Sequence, residues 1–162
     1  MDKITIHKSN KLIKCFTNYN LQTMKLFNSL YYLIQKNYNN SDSVNKKELS
    51  VNYKILIDLM GYKKNKSHSL NDTIHNNYKS LLTASMINDT QITLFDSINI
   101  MKNHYGYFLN ICISNDFLDI LKEKNHWSKI DISINKIISS VFQYKLYEFL
   151  KSYNNIKRSL YV

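Results

Sequence analysis

Near residue 90 the hydrophobic period of the chain changes from 3.6 to 2, which restricts the possible folds more than any other feature. Upstream, Met24, Phe27, Leu30, Tyr31 and Ile34 recur at helical spacing, predicting a long helix from Asn20 to about Asn37, capped by Asn20. "KELSV" then alternates, with Leu49 and Val51 on one face of a short strand. Asn52 is placed to cap a helix over "YKILIDLM" that stops at Gly61. A further helix follows the lysine-rich loop "YKKNKSHS", with Ser69 and Asp72 spaced as a capping box. Its expected buried face is Leu70, Ile74, Tyr78, Leu81 and Leu82, which leaves Asp72, His75, Asn76 and Lys79 outside.

Downstream, "QITLFDSINIMK" alternates through Ile92, Leu94, Ile98 and Ile100, and "YGYFLNICIS" through Tyr105, Tyr107, Leu109, Ile111 and Ile113. Joined at Asn103 and His104, the two read as a β-hairpin. Helix, strand, two helices and a hairpin form an α+β order, that of a winged helix: a helix-turn-helix followed by a β-hairpin wing. Additional N- and C-terminal helices would flank it. A short helix starts at Asn115, followed by an irregular stretch with "KIDISI" and Trp127, the latter expected to anchor the core. The terminal segment "FQYKLYEFLKSY" carries Phe142, Leu146, Phe149, Leu150 and Tyr153 at helical spacing, opposite Gln143, Lys145, Glu148, Lys151 and Ser152. Its apolar face is expected to close the body of a domain spanning residues 1–153, with 154–162 the start of a linker or tail.

At 162 residues, with 44% hydrophobic and 13% aromatic content, the chain can bury a core of its own. With no proline and two glycines, turns fall to Asn, Asp and Ser, and the Asn and Lys abundance fits an AT-rich gene. The N-terminus "MDKITIHKSN" lacks a signal-peptide core and no run is apolar enough to cross a bilayer, so a cytoplasmic protein is expected, with Cys15 and Cys112 unpaired. Net charge is +10, and residues 1–81 hold most of it, with 13 Lys against 5 acidic residues. Such a surplus favours a polyanionic partner.

Several segments together resemble one family. "LFDSINI" at 94–100, "YGYFLNICISNDF" at 105–117 and "SVFQYKLYEFLKSY" at 140–153 look like the first winged-helix domain of plasmid replication initiators, the Rep proteins that bind iteron repeats at an origin. The correspondence rests on Phe95, Asp96, Ser97 and Ile98 before the wing, and on Ser140, Leu146, Tyr147, Glu148 and Leu150 in the last helix. The opening "HKSNKLIKCFTNYNLQTMKLFNSLYYLI" resembles the family's start and first helix. Lys145 stands where the family usually has Arg, and the second winged-helix domain that makes the family's main base contacts is not within residues 1–162, as in a fragment or in a short relative. The resemblance implies origin binding, autorepression, a homodimer formed partly through this domain, and recruitment of host replication proteins.

The candidate DNA contacts are Lys63, Lys64, Lys66 and Lys79, with Lys102 and His104 at the wing tip, each lysine able to neutralise a phosphate. Asn71, His75 and Asn76 lie on the expected recognition helix, where Asn can pair with adenine. Arg158 is the only arginine, which argues against strong guanine readout. Phe108, Asn110 and Cys112, on the hairpin face opposite Ile111 and Ile113, are the candidate dimer interface. The histidines and cysteines lack zinc-ligand spacing and there is no glycine-rich phosphate loop; Asp116 and Asp119 suit a helix N-terminus. Neither an enzyme nor a cofactor is therefore expected. A stand-alone winged-helix regulator and a protein interaction module without DNA binding are the competing readings.

Overall fold

The computed structural model describes residues 4–15, 18–40, 46–62, 67–87, 89–123 and 126–160. It is a mixed α+β structure with antiparallel sheets. In chain order the elements are β1 (Thr5–Ser9), the single turn α1 (Asn10–Ile13), α2 (Leu21–Asn40), β2 (Glu48–Asn52), α3 (Tyr53–Leu59) and α4 (Ser67–Asn77). A 3₁₀ turn (Tyr78–Leu82) leads to β3 (Ser85–Ile87), β4 (Thr90–Ile92), β5 (Phe95–Asn103), β6 (Gly106–Ile113) and α5 (Asn115–Lys122). Then come β7 (Trp127–Asp131), a 3₁₀ turn (Ile132–Lys136) and α6 (Val141–Leu160).

The expected first helix is α2, and Asn20 caps it, its Oδ1 accepting from the Thr23 amide at 2.8 Å. It is the centre of the core. Residues 23–31 are buried on every side, including Thr23, Lys25, Asn28 and Ser29, where the sequence showed one apolar stripe. Around Phe27 gather Tyr31, Phe95 and Phe117, with ring centroids 6.1–6.3 Å away, in the edge and stacked geometries that aromatic pairs favour.

Asn52 caps α3 through the Lys54 amide, 2.8 Å away, and the helix stops at Gly61 at φ +83. A Cβ at Gly61 would lie 2.8 Å from the Lys136 backbone nitrogen, so that close approach and the left-handed backbone both demand glycine. Helix α4 opens at Ser67, so Ser69 lies inside its first turn. The helix gives way at Tyr78 to the 3₁₀ turn, although Leu70, Ile74 and Leu81 are buried as expected.

The strand expected over "QITLFDSINIMK" is two strands. Leu94 and Phe95 are both buried, which breaks the alternation there; β4 folds back on β3 and β5 begins at Phe95 with a bulge before Ser97. The β5–β6 hairpin turns at His104 and Tyr105, one residue later than expected, with Asn103 opposite Gly106. β6 is the middle strand of a sheet ordered β2-β6-β5. Its inner face, Leu109, Ile111 and Ile113, is buried with Val51 and Ile98.

"KIDISI" is not irregular: Trp127–Asp131 forms β7, which pairs with β1 from Thr5↔Asp131 to Ser9↔Trp127. Trp127 is not a core anchor. It is 37% exposed and stacks on His7 at 4.1 Å, because it occupies the outward position of a two-stranded ribbon.

The largest correction concerns α6, which is turned about its axis relative to the sequence expectation. Phe142, Leu146, Phe149, Leu150 and Tyr153 are 43–74% exposed, whereas Tyr144, Glu148 and Ser152 are buried. The cause is a polar network. Lys8 Nζ on β1 lies 2.8 and 3.0 Å from the two Glu148 carboxylate oxygens and donates to Asn28 Oδ1 on α2 at 3.0 Å. Asn28 Nδ2 donates to Glu148 Oε1 and to Tyr144 Oη, each at 2.8 Å. The Tyr144 hydroxyl donates to Asn135 Oδ1 at 2.6 Å, and Asn135 Nδ2 to the Leu59 carbonyl at 2.8 Å. Every member has a partner, which a buried ionic network requires if its desolvation is to be offset. The helix continues past Tyr153 to Leu160, beyond the expected end of the domain.

Candidate nucleic-acid interface

The candidate face is built where the hairpin meets the α3–α4 pair. β2 pairs with β6 from Glu48↔Cys112 to Asn52↔Phe108, so the strand entering α3 also holds the hairpin. The hairpin tip is tied to that helix start, Asn52 Nδ2 reaching the Tyr105 carbonyl at 3.4 Å. Tyr107 stacks on Tyr53 at 5.5 Å and meets the edge of His75 at 4.9 Å. The hairpin, α3 and α4 are thus joined by one aromatic cluster.

His75 belongs to that cluster and not to an outer face. Its Nδ1 lies 2.9 Å from the Tyr53 hydroxyl. Burial, with Tyr78 and Tyr107 adding to it, pushes the Tyr53 phenol above its usual range, so Tyr53 stays protonated. Asn71 is half-buried at the start of α4, while Asn76 and Lys79 are exposed on α4 and the turn after it. Lys102 and His104 are exposed near the hairpin tip, and Lys102 Nζ sits 5.2 Å over the Tyr107 ring. Lys63, Lys64 and Lys66 lie outside the described residues.

A cavity of about 800 Å³ separates α2, α3 and the start of α4 from the hairpin tip. Tyr32, Tyr53, Tyr105 and Tyr107 line it together with Lys36, Lys54, Asn52 and Asn71. Asn71 lines this space together with the hairpin tip, whereas Asn76 and Lys79 are not among its lining residues. The sequence did not single out Lys36, Lys54 or the tyrosines. Tyr105 and Tyr107 read as apolar members of an alternating strand, yet Tyr105 is the 76% exposed apex of the turn. The signal available was the pair of aromatics flanking Gly106, whose φ of +106 marks it as a turn residue.

Phe108, Asn110 and Cys112 point away from the core, half-buried, on a face shared with Glu48, Ser50, Ser97, Asn99 and Met101. That face is mostly polar; Ser50 Oγ donates to Asn110 Oδ1 at 2.6 Å. Because β6 is central, its two backbone edges are already used by β2 and β5, and among the described residues these two outer strands each leave one edge unpaired by another strand.

Among the described residues, no three His, Cys, Asp or Glu side chains gather as a metal-ligand set, and no helix is long and apolar enough to cross a membrane. Cys15 and Cys112 carry no disulfide. No protein-family model matches the chain, and no curated protein matches it either.

Proposed function

We propose that this chain is a winged-helix DNA-binding domain of the plasmid replication initiator type, acting on duplex DNA through phosphate contacts and without catalysis. The observation that carries the reading is the joint of hairpin and helix pair: Tyr107 packs on both Tyr53 and His75, which also touch each other, and Lys102 is held against the same Tyr107 ring. In a winged helix this joint fixes the wing beside the recognition helix, here β5–β6 beside α4. Lys79 and Lys102, with Lys36 and Lys54 around the cavity, supply charge on a chain of net +10, and His104 offers ring nitrogens for hydrogen bonding near the hairpin tip. The expected loop contacts Lys63, Lys64 and Lys66 stand next to α4 in the sequence. Base reading falls to Asn71 and Asn76, and with a single arginine in the chain it is weak. In such an initiator, monomers load onto iterons and open the origin, dimers repress the initiator's own gene, and the chemistry of replication belongs to recruited host proteins.

The test is a shift assay with iteron-containing and scrambled duplexes across a salt series. Three to six lysine contacts give a log–log salt slope of roughly −3 to −5. Combined K63A, K64A and K66A changes should flatten it, and K102A should do so by about one phosphate. Preference for iterons supports the initiator, while equal binding to both duplexes favours a regulator with another operator. A slope near zero, or no duplex binding, would leave the interaction module as the better reading.

A further inference from the structure

Tyr32 on α2 and Tyr105 at the hairpin tip line the same cavity of about 800 Å³, and among the described residues neither ring stacks on another aromatic ring. The other two tyrosines there are already engaged. Tyr107 meets Tyr53, His75 and Lys102, and the Tyr53 hydroxyl lies 2.9 Å from His75 Nδ1. Tyr105 is 76% exposed, yet its backbone is held on both sides, the amide donating to Asn103 Oδ1 at 2.8 Å and the carbonyl accepting from Asn52 Nδ2 at 3.4 Å. A ring left in water on a fixed backbone is preorganised to stack. Beside it Gly106 leaves room, since a Cβ there would meet nothing within 4 Å. Leu33, Ile57 and Leu70 supply apolar wall, and polar groups are few. The half-buried Asn71 side chain makes no hydrogen bond among the described residues. Lys36 and Lys54 are exposed and, among the described residues, form no ion pair; Lys36 Nζ stands 6.0 Å from the Tyr32 ring. Against these two lysines the described lining sets one acid, Asp58.

We propose that this cavity binds a small aromatic anion, one or two rings bearing a sulfonate, carboxylate or phosphate, with its rings against Tyr105 and Tyr32 and its charge at Lys36 and Lys54. The walls select this class. A space of this size, mostly apolar and aromatic with a few polar groups, suits a small organic molecule. The two unstacked rings favour a flat one. A cation drawn to the tyrosine faces would meet two lysines, whereas an anion meets them as partners. Both lysines stay in contact with water, so pairing with them avoids the desolvation that a buried charge would suffer. Asn71 offers a donor and an acceptor that fix the ligand's orientation. An occupant would bridge α2 and the hairpin tip.

Fluorescence titration of the full chain with anilinonaphthalene sulfonate, without DNA, tests this separately from the duplex reading. One saturable site is expected. K36A combined with K54A should weaken binding by at least about tenfold, and Y105A by about three- to tenfold. All three side chains are exposed, so far-UV circular dichroism should not change. I55W, which adds bulk at another exposed lining position, should also weaken binding and is the second variant, should the lysine changes disturb folding. The uncharged parent dye, phenylnaphthylamine, should bind the unchanged chain and the lysine variant equally, because it has no anion to pair. L146E combined with F149E, on the exposed stripe of α6, should leave the dye site intact. Absence of saturable binding, binding that survives either the lysine pair or Y105A at full strength, or binding lost to the α6 variant instead would overturn the inference. An equal loss of the uncharged dye in the lysine variant would overturn the selection of an anion.

Discussion

The two faces of α6 have exchanged the roles that their compositions suggest. The inner face carries Tyr144, Glu148 and Ser152 into the protein, and the outer face presents two phenylalanines, two leucines and a tyrosine to solvent. Hydrophobicity alone orients a helix when its polar side chains have only water to meet. Here Lys8 and Asn28 offer partners that water would have to replace at each atom, and they are themselves buried, so turning α6 over would leave a lysine and an amide unsatisfied. A satisfied polar network can thus outweigh an apolar stripe in setting which face of a helix is buried.

The sharpest way to break this comparison is to remove the cation. Lys8→Met leaves the Glu148 carboxylate buried without its partner and should cost about 3–5 kcal/mol; urea unfolding measures it. Lys8→Met combined with Glu148→Leu should recover much of that loss, and a double variant as unstable as the single would mean that the pair does not act as a unit.

Tyr144→Phe is next. It removes the acceptor of one Asn28 proton and the donor to Asn135, at an expected cost of about 1–3 kcal/mol. A change below 0.5 kcal/mol, by the same measurement, would show that water or rotation repairs the gap.

On the outer face, Phe142→Ala should alter unfolding in dilute solution by no more than about 0.5 kcal/mol, since that side chain is 74% exposed. A larger destabilisation in dilute solution would mean that the stripe packs on its own domain.

The smallest effect is expected from β1, whose Lys8 points into the network while His7 points outward. Partial burial, with the Lys129 charge adding to it, holds the His7 imidazole below its ordinary value of 6.5. Because the folded value is the lower one, the unfolded chain binds more protons in that window. The contribution is complete above pH 6.5 and is lost as pH falls through the folded value. Ring-proton titration by NMR should place His7 below 6.5 and Trp127→Ala, which removes the stacked ring, should bring it back towards 6.5; a midpoint at or above 6.5 in the unchanged chain would contradict the assignment.

What was legible in the sequence follows the range of the interaction. Asn20 and Asn52 cap the helices expected of them because a cap is settled within three residues. The α2 stripe and the β5–β6 hairpin were readable for the same reason. The β1–β7 ribbon was not, because neither five-residue strand announces a partner so distant in the chain. The orientation of α6 depends on Lys8 and Asn28, both far from it in the sequence, together with Asn135 in the turn before it, so its own apolar pattern pointed the wrong way. At the candidate interface, Lys102 and His104 could be placed at a hairpin tip, but the tie of His75 to Tyr53 required knowing that α3 and α4 pack together.

The pairing of β1 with β7 also sets a schedule for synthesis. Thr5 leaves the ribosome long before Asp131, and at about 5–20 residues per second the interval is roughly 6 to 25 s. During that time Lys8 has no Glu148 to meet and the inner side of β1 has no cover. The β2-β6-β5 sheet and its helices can assemble in the interval, so the nascent chain would carry a formed hairpin and α2 with a loose leading strand. Chaperone demand should therefore fall on the first ten residues, and substitutions there should reduce yield in cells more than their effect on the purified protein suggests.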